Sequence, residues 1–202
     1  MSRTTFSDKE KALLASYRDD ISKAVEVMNA GGVILYPTDT VWGIGCDATH
    51  AEAVKRVYEI KKRSDAKSLI CLIDSEAKLQ FYLNEVPDVA WDLLDVADKP
   101  LSIIYDGARN LAHNVIADDG SVALRVTKEV FSKQLCFRMK RAIVSTSANV
   151  SGMPTPHVFS EISEEILSAV DYVCTSRRNE TVKYQPSGII RLGLGGEVKI
   201  IR

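Results

Sequence analysis

Three cations stand within seven residues of one another: Lys61, Arg63 and Lys67. They follow a short helical pattern and precede the apolar run Leu69 to Ile73. Upstream of them lies Leu35-Tyr36-Pro37-Thr38-Asp39-Thr40-Val41-Trp42-Gly43-Ile44-Gly45. This run reads as a buried strand that stops at Pro37, then a polar turn and a Gly-x-Gly bend. Cations gathered at a strand–loop junction are what a polyphosphate requires. The alternative is a solvated helix end whose cations offset the helix dipole. That alternative is strongest for Lys62, fair for Lys61 and weakest for Lys67, which lies beyond the helix.

A second group is Ser145-Thr146-Ser147-Ala148-Asn149-Val150-Ser151-Gly152. Its small hydroxyl and amide side chains follow an apolar strand and offer many donors in little volume. They suit phosphate, ribose or an amino-acid carboxylate, although a Ser/Asn-rich turn is common in its own right. The segment is no hydrolase elbow, because Gly-x-Ser-x-Gly is missing. Arg125 interrupts Val122-Ala123-Leu124-Arg125-Val126, and a charge inside an apolar strand is costly unless paired. It could bridge Asp39 or Asp47, or take a ligand's carboxylate or phosphate in bidentate fashion; the ligand is the preferred partner. Gly43-Ile44-Gly45 is weak, being neither a full dinucleotide fingerprint nor a Walker A motif, and reads most simply as a tight turn. Trp42 is a pocket wall or core. His50, His113 and His157 have no ligand spacing, so no protein-held metal is expected. Asp118-Asp119-Gly120 reads as a turn.

The elements that must position these groups alternate. Ser7 and Glu10 form a capping box for a first helix that Gly31-Gly32 stops, with a possible division near Asp19-Asp20. Val33 to Tyr36 is a strand. Thr49 and Glu52 read as a second capping box, opening a helix with Val54, Val57 and Tyr58 on its apolar face. Ser68 to Ile73 is a strand, Asp74-Ser75 caps a helix through Leu83, and Pro87 opens another through Val96. Strands follow at Pro100 to Tyr105 and Val122 to Val126. Thr127 caps a helix to about Met139, Ala142 to Thr146 is a strand, and Ser160 starts a helix to Val170. Tyr172 to Cys174, Gly188 to Leu192 and Val198 to Arg202 close the chain as strands. Such alternation argues for an α/β fold, and the strand-rich last third for a mixed sheet.

At 202 residues the chain is long enough for a sizeable core and reads as one domain, 1–202. A formal net charge of −1 leaves no general field for nucleic acid, so any anion site is local. The apolar runs are of strand length and the N-terminus has no signal core, so no membrane span or leader is expected. Cys46, Cys71, Cys136 and Cys174 have no Cys-x-x-Cys spacing and read as free thiols of a cytoplasmic protein.

Taken together, these segments resemble the YrdC/YciO family, whose best-known activity is threonylcarbamoyl-AMP synthesis. The resemblance rests on Tyr36 to Gly45, on Lys61-Lys62-Arg63 with Lys67-Ser68-Leu69, on Val122 to Val126, on Ser145 to Gly152 and on Pro186-Ser187-Gly188-Ile189-Ile190. These occur in family order across nearly the whole chain. The chain departs from the usual pattern at Ser64 and Ser68, where proline is usual, and at Leu72, where many members carry histidine. Asp98-Lys99-Pro100 stands for a longer Trp-Pro-Gly-Pro stretch, and Trp42 for Tyr or Phe.

The resemblance implies a YrdC-like twisted mixed sheet with flanking helices and a concave ligand-binding face, without the second C-terminal domain of longer members. It implies that L-threonine, bicarbonate and ATP give threonylcarbamoyl-AMP and pyrophosphate, a nucleotidyl transfer, for tRNA N6-threonylcarbamoyladenosine modification. Lys61 and Arg63 would be catalytic. Lys61, Arg63, Lys67, Ser145, Ser147, Asn149 and Arg202 would bind ATP, with Mg²⁺ arriving on the nucleotide. Thr40, Arg125 and Ser187 would frame the threonine. Downstream tRNA threonylcarbamoyl transferase proteins are the expected partners, with possible tRNA or double-stranded RNA contact. Three other readings share the fold: a YciO-like paralogue without threonine-dependent activity, an RNA-binding module, and a carbamoyl-adenylate enzyme like the related domain of hydrogenase maturation proteins. Sparse aromatics and near-neutral charge count against the RNA-binding module, and missing partner domains against the last.

Overall fold

The computed structural model describes residues 7–63 and 69–202. The expected strand at Ser68 therefore begins, within the described residues, at Ile70. Helix α1 (Asp8–Asn29) runs unbroken through Asp19-Asp20. Ser7 caps it as read: its hydroxyl accepts from Glu10 N, and the Glu10 carboxylate accepts from Ser7 N. No division is needed at Asp20 because its carboxylate turns inward. It accepts from the Tyr172 hydroxyl at 2.7 Å and from the amides of Thr175 and Ser176 at 3.0 and 2.7 Å.

Strands β1 (Ile34–Tyr36), β2 (Gly43–Gly45), β3 (Ile70–Ile73), β4 (Leu101–Tyr105), β5 (Val122–Val126), β6 (Ile143–Ser147), β7 (Tyr172–Val173), β8 (Gly188–Leu192) and β9 (Val198–Ile200) form one sheet. Their order is β7-β1-β2-β6-β3-β5-β4-β8-β9. The pairs β1/β7, β3/β5 and β4/β8 are parallel and the others antiparallel, so the sheet is mixed, as the last third of the sequence implied. The helices between are α2 (Ala51–Ile60), α3 (Leu79–Tyr82), α4 (Val89–Val96), α5 (Val130–Met139) and α6 (Glu164–Ala169). Helices α1 and α5 pack on each other and cover one face of the sheet through β1 and β3. Among the described residues no helix is long and apolar enough to cross a membrane. All four cysteines are free and buried, and burial alone pushes the Cys71 thiol up to about 12.

Several local readings are corrected. The N-cap of α2 is His50, whose Nδ1 accepts from Ala53 N, because the Thr49 hydroxyl is spent on Asp47. The N-cap of α5 is Glu129, whose carboxylate accepts from Phe131 N and Ser132 N, while the buried Thr127 hydroxyl pairs with Ser132. The helix expected from Asp74-Ser75 is a 3-10 turn (Glu76–Lys78) running into α3, and Asp74 pairs with Lys78. The helix expected from Ser160 is likewise a 3-10 turn (Phe159–Glu161) followed by α6.

Gly43-Ile44-Gly45 is no turn but strand β2, inserted between β1 and β6. Its glycines answer to packing. A Cβ on Gly45 would lie 2.5 Å from the Val144 carbonyl oxygen and 2.6 Å from Tyr36 Cε1, both in fully packed surroundings. Gly45→Ala is expected to cost about 1–3 kcal/mol by overpacking, a fall in melting temperature of roughly 3–10 °C, readable by calorimetry.

Asp20 gives a second expectation. Burial alone would raise its carboxyl, but the hydrogen bonds from Ser176, Tyr172 and Thr175 outweigh it and hold the value below the ordinary 3.8. The stabilisation is thus present above pH 3.8 and lost as pH falls through the lowered value. Asp20→Asn should cost about 2 kcal/mol near neutrality. Chemical denaturation from pH 7 to 3 should show its deficit shrinking toward the acid end.

Candidate active site

The face of the sheet opposite α1 and α5 bounds a cavity of about 390 Å³. Its floor is a cross-strand rung. Ser145 on β6 pairs with Ile70 on β3, Ile70 with Ala123 on β5, and Ala123 with Ile104 on β4, and all four line the cavity. Strand side chains alternate between faces, so residues two positions away share this side. Those residues are Ser147 on β6 and Arg125 on β5, both of which line it. Leu124, between Ala123 and Arg125, points to the core.

Two residues along β5 from the rung sits Arg125, its side chain 4% exposed. Its Nη2 lies 2.9 Å from the Asp39 carboxylate and 3.5 Å from Thr40 Oγ1. Of the two carboxylates open to it in the sequence, Asp39 is the partner, and Asp47 goes instead to Arg141. Among the described residues its buried Nε has no hydrogen-bond partner. Arg125 is thus paired with Asp39, the structural partner open to it in the sequence, and also lines the cavity. The turn carrying Asp39 is tightly specified, with Thr38 Oγ1 donating to Val41 O at 2.8 Å and accepting from Thr40 N at 3.0 Å. Ser187 closes this side. Its hydroxyl meets Ser102 Oγ at 2.9 Å, and its carbonyl accepts from Arg202 Nε and Nη2 at 3.2 and 3.1 Å.

Arg63, Ser145, Ser147 and Thr155 line the same cavity. Burial lowers the Arg63 guanidinium below its ordinary value. Lys61 does something the sequence did not reveal. It is buried, it is not among the cavity-lining residues, and its ammonium donates to the carbonyls of Ser147 and Asn149 at 2.6 and 2.7 Å. Its own carbonyl accepts from Ser151 N at 2.9 Å. Lys61 thus binds the 147–151 turn to the end of α2. Burial first, then the charge of Arg63, pulls its ammonium down to about 8. Asn149 braces the same turn through Nδ2 to Val150 O and Met153 O, and among the described residues its buried Oδ1 has no hydrogen-bond partner.

Of the site residues expected from the sequence, Thr40, Arg63, Arg125, Ser145, Ser147, Ser187 and Arg202 share the one cavity. Lys61 and Asn149 stand behind its wall, and Lys67 lies outside the described residues. Lys62 is exposed and paired with Glu165 at 2.6 Å. Trp42 packs on Phe159 with ring centroids 4.9 Å apart and belongs to the core. Asp119 caps its own turn through Ser121 and holds Arg191. Among the described residues no group of three or more His, Cys, Asp or Glu is gathered to hold a metal. The sequence reading missed Thr155 and the apolar floor of Ile70, Ala123, Ile104 and Ile189. Alternation along β5 and β3 would have found the floor once Arg125 was placed; Thr155 carries no such signal.

One cavity thus gathers three arginines (Arg63, Arg125 and Arg202) and several hydroxyls over an apolar floor. Comparison with known proteins places the chain in a family. Residues 26–202 match the model of the Sua5/YciO/YrdC family, described as "Telomere recombination". A threonylcarbamoyl-AMP synthase of Stutzerimonas stutzeri is 33% identical over 167 residues, 80% of this chain and 90% of that protein. A variant of Sua5 from P. abyssi superposes with a TM-score of 0.82 at 26% identity, over 90% of this chain and 55% of that one. P. abyssi Sua5 complexed with L-threonine superposes with a TM-score of 0.76 at 25% identity, over 85% and 50%. The chain spans about half the length of those Sua5 chains but most of the curated synthase. With the family pattern met over most of its length, and with its motifs gathered around one cavity, this chain is a member of the Sua5/YciO/YrdC family.

Proposed function

We propose that this protein is a threonylcarbamoyl-AMP synthase, a nucleotidyl-transferring enzyme that uses L-threonine, bicarbonate and ATP in the service of tRNA modification. The observation that carries the reading is the single cavity lined by Arg125 together with Arg63, Ser145 and Ser147. Relatives that bear this activity as their name support it, as does the threonine complex of Sua5.

The chemistry suits what the residues offer. Bicarbonate condenses with the threonine amine to a carbamate, losing water. A carbamate oxygen then attacks the α-phosphorus of ATP, the bond to the β-phosphate oxygen breaks, and pyrophosphate leaves. No protein nucleophile is needed. What is needed is alignment of two anions and cationic stabilisation of developing phosphate charge. Arg125, which lines the cavity, takes the threonine carboxylate, and Thr40 and Ser187 complete that end. Arg63, Ser145 and Ser147 take the nucleotide, joined by Lys67, and Arg202 reaches it from beside Ser187. Lys61 and Asn149 serve that end by fixing the turn from which Ser147 projects. Mg²⁺ comes as part of the ATP substrate, held by phosphates and water. A cytoplasmic location, with downstream transferase proteins consuming the product and RNA in contact nearby, completes the proposal.

The deciding experiment is pyrophosphate release from ATP and bicarbonate, with L-threonine, with L-serine and with no amino acid. Release that requires threonine is the expected result; release indifferent to threonine would replace this reading with that of a paralogue of different substrate. Arg125→Lys keeps a charge beside Asp39 but loses the fork. It should lower kcat/KM for threonine by about ten- to a hundredfold, the worth of one charge-assisted hydrogen bond, with KM for ATP held within about twofold. In the pH profile, the ammonium of Lys61 loses its charge as pH rises through about 8, and ATP use should fall on that alkaline side. Lys61→Met should be slower at pH 7 and lack that limb.

A further inference from the structure

Behind the Thr38–Thr40 turn, on the side away from the main cavity, lies Arg177. Its side chain is 8% exposed. Nη1 donates to the Thr38 carbonyl at 3.0 Å and lies 3.2 Å from the Glu129 carboxylate. Nε and Nη2 each hold the Glu180 carboxylate at 2.8 Å, and the guanidinium sits 5.8 Å from the Tyr184 ring centroid. Its backbone φ is +64°, a region that side chains larger than hydrogen adopt only when their surroundings fix them there. Glu129 is at the same time the N-cap of α5. Three parts of the chain therefore meet on one guanidinium: the turn, the start of α5, and the segment that leaves β7.

That segment has an unusual path. Strands β7 and β8 lie toward opposite ends of the sheet, with six strands between them. At ~4.8 Å per strand the crossing is on the order of 30 Å, and residues 174–187 make it without regular structure. A buried arginine could serve simply to pin such a strap. Two observations say more. The donor from Arg177 goes to the carbonyl of Thr38, one residue before Asp39, which pairs with Arg125. And Thr40 and Val41 form a thin wall, lining both the main cavity and a small one behind it that Arg177 and Tyr184 also line.

We propose that Arg177 is a positioning residue for the amino-acid end of the cavity, setting the Thr38–Thr40 turn from behind and, through it, Thr40 and the Asp39–Arg125 pair. The proposal rests on the reading of the cavity as a threonylcarbamoyl-AMP synthase site. Arg177 touches neither substrate. It acts on threonine through the turn, and ATP use depends on other elements.

The test uses Arg177→Gln and Arg177→Lys, with Lys183→Ala as a control on the same strap; Lys183 is exposed and holds only Glu161. Three readings are taken: steady-state kinetics in each substrate, L-threonine binding by calorimetry, and backbone hydrogen exchange over residues 38–41. Arg177→Gln should raise the threonine KM and Kd at least tenfold, leave the ATP KM within about twofold, and speed exchange at 38–41 while β5 and β6 stay protected. Arg177→Lys, which keeps the charge between Glu129 and Glu180, should recover part of the loss; it decides the matter if the glutamine variant does not fold. Lys183→Ala should match the wild type. Equal rises in both KM values, or unchanged threonine binding with unchanged exchange, overturn the proposal. If the wild type neither binds nor uses threonine, the synthase reading falls, and the exchange measurement still decides whether Arg177 sets the turn.

Discussion

A guanidinium buried in the middle of a nine-stranded sheet must be neutralised from outside its own strand, and Asp39 does this for Arg125. An isolated charge at that depth would be prohibitive. The pair therefore fixes the turn after β1 against β5, strands that are not neighbours in the sheet. Asp39 meets the Nη2 side alone, and among the described residues the buried Nε has no hydrogen-bond partner. Arg125 is thus neutralised and still lines the cavity.

The other end of the cavity is built by a different device. The Ser147–Ser151 turn is held by an ammonium that donates to two of its carbonyls. Lone pairs that would otherwise need water are satisfied by Lys61, and the turn can stay dry and fixed beside a polar ligand. The cation nearest the start of the motif thus shapes the site, while Arg63 two residues on lines it. The reversal between them passes through Lys62, whose positive φ of 48° ends α2 and lets the chain turn toward the cavity.

Much of this was legible in the chain, and the parts that were not share a cause. Arg125 stood out because a charge in an apolar strand has few explanations, and Ser145 and Ser147 because a cluster of small hydroxyl residues follows an apolar strand; that they share one face comes from the strand pairing. Strand β2 was hidden because glycine is depleted in strands; only the approach of the Tyr36 ring and the Val144 carbonyl explains Gly45. The caps of α2 and α5 were displaced by one and two residues because Thr49 and Thr127 had competing partners, Asp47 and Ser132, that spacing does not reveal. The burial of Lys61 depends on a turn 86 positions away, and the contact of Arg177 with Thr38 spans 139. Local pattern carries no trace of such pairings. The four cysteines were an easier case, since scattered thiols in apolar runs have little to do but pack.

The order of the strands has a consequence for how the cavity comes into being. Ile34 lies opposite Tyr172 and Leu101 opposite Gly188, so the β7 and β8 pairings join segments far apart in sequence and each is parallel. Such contacts incur the entropy of closing a long loop before they return any energy, and they form slowly. Hairpin-like pairs such as β1/β2 can form early, but Ser187 and Arg202 reach the cavity only when β8 has docked on β4. Substrate present during refolding would therefore meet a half-built site. The recovery of activity should lag the recovery of helical signal, an interval that stopped-flow measurement can resolve.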